Sequence, residues 1–159
     1  MAKSDDRFAI SKVYEESWNY AYKGIVPQDY LESIPEGQWA SHIEQAGRKN
    51  LVMVQDGIII GTSGFGKSRM AEMNGFGEII SLYFLPEYMG KGYGRLLLQA
   101  ACSELKKMGF NQVFLWVLEE NQSARCFYEK CGFVQTERCL FSNVGGKKLK
   151  EVQYCYQDM

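Results

Sequence analysis

Gly77-Glu78-Ile79-Ile80-Ser81-Leu82-Tyr83-Phe84-Leu85-Pro86 runs through Glu87-Tyr88-Met89-Gly90-Lys91-Gly92-Tyr93-Gly94-Arg95 into Leu96-Leu97-Leu98-Gln99-Ala100-Ala101-Cys102. The first part is apolar and β-prone and stops at a proline, so it reads as a strand over 78–85. The last part, continuing to Met108, is rich in strong helix formers and reads as a helix over 95–108. Gly90, Gly92 and Gly94 lie in the turn between them. A strand, a glycine-rich turn and a helix start in that order gather backbone N–H groups that have no helical partner, and the helix dipole adds positive potential. The stretch therefore predicts an anion site and a phosphate-bearing ligand.

Upstream, Ser4-Asp5-Asp6 starts a helix in which Ile10, Val13, Tyr14, Ser17, Trp18 and Ala21 recur at helical spacing, and Gly24 ends it. Pro27 opens a short second helix, and 36–46 reads as a further helical piece. Leu51-Val52-Met53-Val54 and the segment from Ile58 flank the hairpin turn Asp56-Gly57, and 69–74 is a polar turn. Downstream, the continuous apolar run Val113-Phe114-Leu115-Trp116-Val117 predicts a central strand buried on both faces. A helix over 121–130 closes at Cys131-Gly132, and a last hairpin turns at Gly145-Gly146. Helices, three strands, helix, strand, helix and two strands make a mixed α/β (α+β) sheet, mostly antiparallel and not doubly wound. A single domain spanning 1–159 is expected.

At 159 residues, with 46% apolar and 23% charged residues, the composition is that of a globular domain. A net charge of −1 lacks the basic excess of a nucleic-acid binder. No apolar run reaches the length of a membrane span, and the first residues lack the apolar core of a signal peptide. The five cysteines, Cys102, Cys126, Cys131, Cys139 and Cys155, are odd in number and not spaced as metal pairs. Reduced thiols in a cytoplasmic protein without a metal are the expectation.

The glycine turn alone leaves several phosphate ligands open. A dinucleotide signature would need glycine where Arg95 stands, and a P-loop would need a closing Gly-Lys-Ser/Thr. Met89-Gly90-Lys91-Gly92-Tyr93-Gly94, after a strand ending near proline, resembles the acyl-CoA pyrophosphate loop of the GNAT superfamily, the GCN5-related N-acetyltransferases. That pattern is Gln/Arg-x-x-Gly-x-Gly/Ala, and Met89 departs from its first position. Downstream, Asn121-Gln122-Ser123-Ala124-Arg125-Cys126-Phe127-Tyr128-Glu129-Lys130-Cys131-Gly132-Phe133 is similar to the family's second signature. The likeness runs from about Val52 to the C-terminus. Trp18 to Pro27 further resembles a branch of the family that acts on small molecules.

The resemblance implies a GNAT acyl-CoA N-acyltransferase sheet and an enzyme that uses acetyl-CoA as cosubstrate. A small-molecule or protein amine would be the acceptor, and a homodimer is compatible with the family. It places the pyrophosphate on Met89, Gly90, Lys91, Gly92, Tyr93, Gly94 and Arg95. Asn121, also a natural helix N-cap, would hold the coenzyme arm. The backbone of Leu82, Tyr83 and Phe84 would bind the pantetheine and the acetyl carbonyl, because this strand carries a bulge in the family and parts from the next. No glycine within 78–85 marks such a bulge.

Tyr128 is the candidate general acid, donating a proton to the departing CoA thiolate. Glu78 is the candidate general base for an amine arriving as ammonium, and regular alternation puts it on one face with Phe84. Core packing for Tyr128 and a solvated strand end for Glu78 are the structural alternatives. His42, the single histidine, has no serine or acid partner and reads as exposed. Trp18, Tyr22 and Trp39 are candidates to line an acceptor pocket, with core packing as the alternative, and the 64–75 and 142–148 loops are expected to complete it. The family usually opens with a short strand, but here the helix signal begins at Ser4, so that strand is expected to be missing or vestigial. The competing functional reading is a catalytically degenerate module that binds acyl-CoA. A nucleotide-binding protein using the same loop is a remoter third.

Overall fold

The computed structural model describes residues 1–43, 45 and 47–157. Its elements in chain order are α1 (Arg7–Ala21), α2 (Gln28–Ser33), β1 (Arg48–Gln55), β2 (Ile58–Lys67), β3 (Gly77–Phe84), α3 (Tyr93–Lys107), β4 (Gln112–Leu118), α4 (Gln122–Lys130), β5 (Val134–Val144) and β6 (Lys147–Gln157). Six strands form one sheet in the order β1-β2-β3-β4-β6-β5. Only β3 and β4 pair in parallel, joined by the α3 crossover, and the remaining pairs are antiparallel. This is the expected mixed, mostly antiparallel sheet.

Burial explains the layering. Val113, Leu115 and Val117 of β4 point to the face covered by α3 and α4, where they meet Leu98, Ala101, Leu105, Tyr128 and Phe133. α1 packs on the other face through Ile10 and Tyr14, and α2 through Leu31. β4 is thus covered on both sides, as its unbroken apolar run requires.

Three expectations are corrected or sharpened. Residues 36–43 form successive tight turns, not a helix, with bonds such as Ala40 N–H to Gly37 C=O at 3.0 Å. Gly37 at φ +79° breaks any continuous helical path there; Glu44 and Ala46, within the expected helical piece, lie outside the described residues. No strand precedes α1 among the described residues, and what remains of that edge is the Ala2 N–H donating to Asn50 C=O at 2.8 Å.

The third concerns β3. Gly64 of β2 faces Ser81, but the next residue, Phe65, faces Ile79, so Ile80 is an extra residue: a β-bulge. On the other side, β3 pairs with β4 only from Gly77–Val113 to Ile79–Leu115. Beyond Ile79 the two strands separate. The bulge also offsets the side-chain alternation. Ile79 and Leu82 both pack toward α3, whereas Ser81 and Tyr83 bond to α1. Glu78 therefore shares a face with Tyr83 rather than with Phe84.

The bulge has its own support. The Gly64 N–H donates to Ser81 Oγ at 3.0 Å, and Ser63 Oγ donates to Ser81 C=O at 3.0 Å. Ser81 Oγ also bonds Tyr14 Oη and receives Arg48 Nη2 at 3.2 Å. Removing the hydroxyl takes this acceptor from the buried Gly64 N–H, while Tyr14 and Arg48 still bond each other, and one buried donor left unpaired costs about 1–3 kcal/mol. Ser81→Ala is accordingly expected to lower unfolding free energy by about 1–3 kcal/mol in a denaturant titration; an unchanged midpoint would mean the bulge stands without this serine.

Candidate active site

Where β3 and β4 separate, a cavity of about 1040 Å³ opens. Its walls are β3 from Glu78 to Phe84, the end of β4, the glycine turn, the start of α4, the C-terminal part of α1 and one face of β5 and β6. On the side of β3 that faced β4, main-chain groups beyond Ile79 have no strand partner, so the backbone of Leu82, Tyr83 and Phe84 borders this gap.

At one end lies the turn. α3 begins at Tyr93 with Gly92 as its N-cap at φ +84°, and Gly90 sits at φ +73°. L-residues rarely adopt this left-handed backbone, which explains the glycines. A Cβ on either would meet nothing within 4 Å, so the space before the turn is open. The N–H groups of Gly90 to Gly94 have no acceptor among the described residues. Gly94 differs: a Cβ there would come within 3.3 Å of the Phe127 ring, so the start of α3 is packed closely on α4. Met89, Gly90, Gly92 and Arg95 line the cavity, and Lys91 Nζ lies 5.2 Å over the Tyr88 ring. Unpaired donors and open space at a helix N-terminus fit a pyrophosphate.

Asn121 caps α4, its Oδ1 accepting the Ala124 N–H at 3.2 Å, and it also borders the cavity. Arg125 anchors the helix, with Nε 3.1 Å from Tyr154 Oη and Nη1 3.1 Å from Glu119 C=O. This fixes Tyr128, whose ring packs 5.2 Å from Phe127 and 6.0 Å from Phe133. The residue is 9% exposed, and its hydroxyl, at the cavity wall, bonds to no described residue. Burial raises its pKa well above the ordinary phenol value. Tyr128 is thus a core aromatic in its ring and an uncommitted proton donor at its tip.

At the other end, Trp18 Nε1 donates to Tyr83 Oη at 3.2 Å, and the Tyr22 and Tyr83 hydroxyls lie 3.2 Å apart. Burial pushes Tyr22 up to about 12 and Tyr83 well above its usual value. Trp18 and Tyr22 line the cavity, whereas Trp39 packs behind, 5.3 Å from Trp18. Met70, Ser142 and Val144 bring the two expected loops to the rim. His42 is exposed and outside this region.

Glu78 is not a solvated strand end. It is 1% exposed and gripped by Arg69: the backbone N–H reaches Oε2 at 3.0 Å and Nη2 reaches Oε1 at 2.6 Å, with Nε bridging both oxygens. The turn carrying Arg69 and the strand carrying Glu78 are nine residues apart, so the pair was open to sequence reading as adjacent strand ends. Glu151 of β6 is a second carboxylate on the cavity wall that sequence reading missed; alternation from Leu149 and Gln153 was the available signal.

Among the described residues no helix is long and apolar enough to cross a membrane. Comparison with known proteins agrees with the geometry. The chain is 33% identical to the uncharacterized N-acetyltransferase YuaI of Bacillus subtilis, over 99% of this chain and 91% of that one. It is 29% identical to a spermidine N(1)-acetyltransferase of Thermoplasma acidophilum, covering 81% and 83% of the two chains. In fold it is similar to the crystal structure of the PaiA N-acetyltransferase of Thermoplasma acidophilum in complex with coenzyme A, with a TM-score of 0.74, 24% identity and coverage of 98% and 96%. The profile of the acetyltransferase (GNAT) family matches residues 10–133, most of the chain. A parted sheet, a glycine turn of free N–H groups and a cavity-facing tyrosine thus coincide with that match, and the chain belongs to the GNAT family of acetyltransferases.

Proposed function

We propose that the protein transfers the acetyl group of acetyl-CoA to a primary amine by direct attack, within one catalytic domain. The observation that carries this reading is that the unpaired N–H groups of the turn and the free hydroxyl of Tyr128 open on one cavity at the parting of β3 and β4. The turn from Met89 to Arg95 receives the pyrophosphate. Unpaired main chain at Leu82, Tyr83 and Phe84 replaces the missing strand as partner for the pantetheine amides and the thioester carbonyl. Asn121 borders the same path, and its side chain holds the first turn of α4 in register.

The amine enters from the aromatic end beside Trp18 and Tyr22. Its lone pair attacks the thioester carbon, and the C–S bond breaks. Tyr128, kept protonated by burial, gives its proton to the leaving thiolate. An amine acceptor is in keeping with the relative named for spermidine. Met89, which replaces a polar side chain of the family pattern, leaves phosphate binding to backbone donors. No observation favours a degenerate module: the turn, Asn121 and Tyr128 are all in place around an open cavity.

Tyr128→Phe keeps the ring packing and removes the proton. Turnover should fall at least about tenfold, with acetyl-CoA affinity by calorimetry unchanged; equal turnover would take the tyrosine out of the mechanism. Alanine at Gly92 cannot hold φ +84° without strain of about 1–2 kcal/mol, and relief would turn the N–H groups away from their common focus. Gly92→Ala should therefore weaken acetyl-CoA binding about tenfold, and an unaltered Kd would place the phosphates elsewhere.

A further inference from the structure

Charge at the acceptor end of the cavity does not balance. Arg69, Glu78 and Glu151 line it, and the ion pair neutralises the first two. Both oxygens of Glu78 are already occupied by Arg69 donors. A proton acceptor must offer a free lone pair, so an amine reaches Glu78 only by displacing a guanidinium.

Glu151 is placed differently. On β6 it is paired with Leu118 at the end of β4 and with Leu140 of β5, beside the opening between β3 and β4. Val152 and Tyr154 turn toward α3 and α4, while Leu149 turns to the α2 side. Alternation puts Glu151 with Leu149, on the side of Trp18 and Tyr22. It makes no hydrogen bond or ion pair with any described residue. Burial raises its carboxyl pKa, and the charge of Arg69 opposes that rise. A partly buried carboxylate with no partner is costly, and an incoming cation relieves that cost. An alkylammonium on an aromatic-walled path is such a cation.

We propose that Glu151 is the proton acceptor for the attacking amine, and that Glu78 with Arg69 is a positioning pair that shapes the β3 part of the cavity wall. The assignment rests on the acetyl-transfer reading. One proton of the ammonium passes to Glu151, which later releases it to solvent. The freed lone pair forms the C–N bond and the C–S bond breaks. The thiolate takes the Tyr128 proton, and the second nitrogen proton, passing through water, restores the phenol. One proton is released overall.

The test uses acceptors that differ in their need for a base. Propylamine arrives as ammonium at neutral pH, whereas 2,2,2-trifluoroethylamine arrives uncharged and sheds its later proton to water unaided. Thiol release from acetyl-CoA is followed with both for the wild type, Glu151→Gln and Glu78→Gln, with acetyl-CoA affinity measured in parallel. Glu151→Gln should slow transfer to propylamine at least about tenfold and leave trifluoroethylamine within about threefold, at unchanged acetyl-CoA affinity. Glu78→Gln should slow both amines alike. Equal losses with both amines in Glu151→Gln, no loss with either, or the amine-dependent pattern in Glu78→Gln, would overturn the assignment. Wild type that binds acetyl-CoA yet transfers to neither amine would sink the acetyl-transfer reading itself, and the role of Glu151 with it.

Discussion

The parting of β3 from β4 after Ile79 is the constraint on which the site depends. Paired strands satisfy each other's main chain and leave no room between them. One extra residue, Ile80, twists β3 away while β2 keeps its own pairing on the far side. Unpaired N–H and C=O groups then border a cavity, and an extended ligand with amides of its own can serve as the missing strand. Ser81 makes this arrangement tolerable by giving Gly64 and Arg48 an acceptor where the ladder is interrupted.

Everything chemical is arranged around that gap. The turn into α3 closes one end with free N–H groups, and α4 closes the side with Tyr128. The two helices are tied together where Gly94 meets Phe127, a contact that an added methyl would crowd at 3.3 Å. The glycine turn and Tyr128 are therefore fixed relative to each other by packing. At the opposite end the hydrogen-bonded Trp18, Tyr22 and Tyr83 form a stiff polar-aromatic wall, with one compensated carboxylate and one free.

Much of this was legible in the chain, for local reasons. The glycines at 90 and 92 reflect backbone angles of their own residues, and Asn121 caps the helix it begins. Tyr128 follows from its place on that helix. The central strand showed itself through an apolar run that two covering layers demand. Residues 36–43, read as helical, form turns instead because Gly37 takes a left-handed angle. That no strand precedes α1 among the described residues was also foreshadowed, since helix-starting residues occupy its place.

What the sequence determined by itself, then, was the order of elements, the glycine turn before α3 and the place of Tyr128 on α4, because each is encoded within a few consecutive residues. Only the tertiary structure decided which face Glu78 occupies, that Arg69 holds it, and that Glu151 stands unpaired on β6, across β4 from it. The physical reason is the bulge. A single added residue reverses side-chain alternation, and whether a residue is added depends on a neighbouring strand and on a serine, a tyrosine and an arginine brought together from three distant segments.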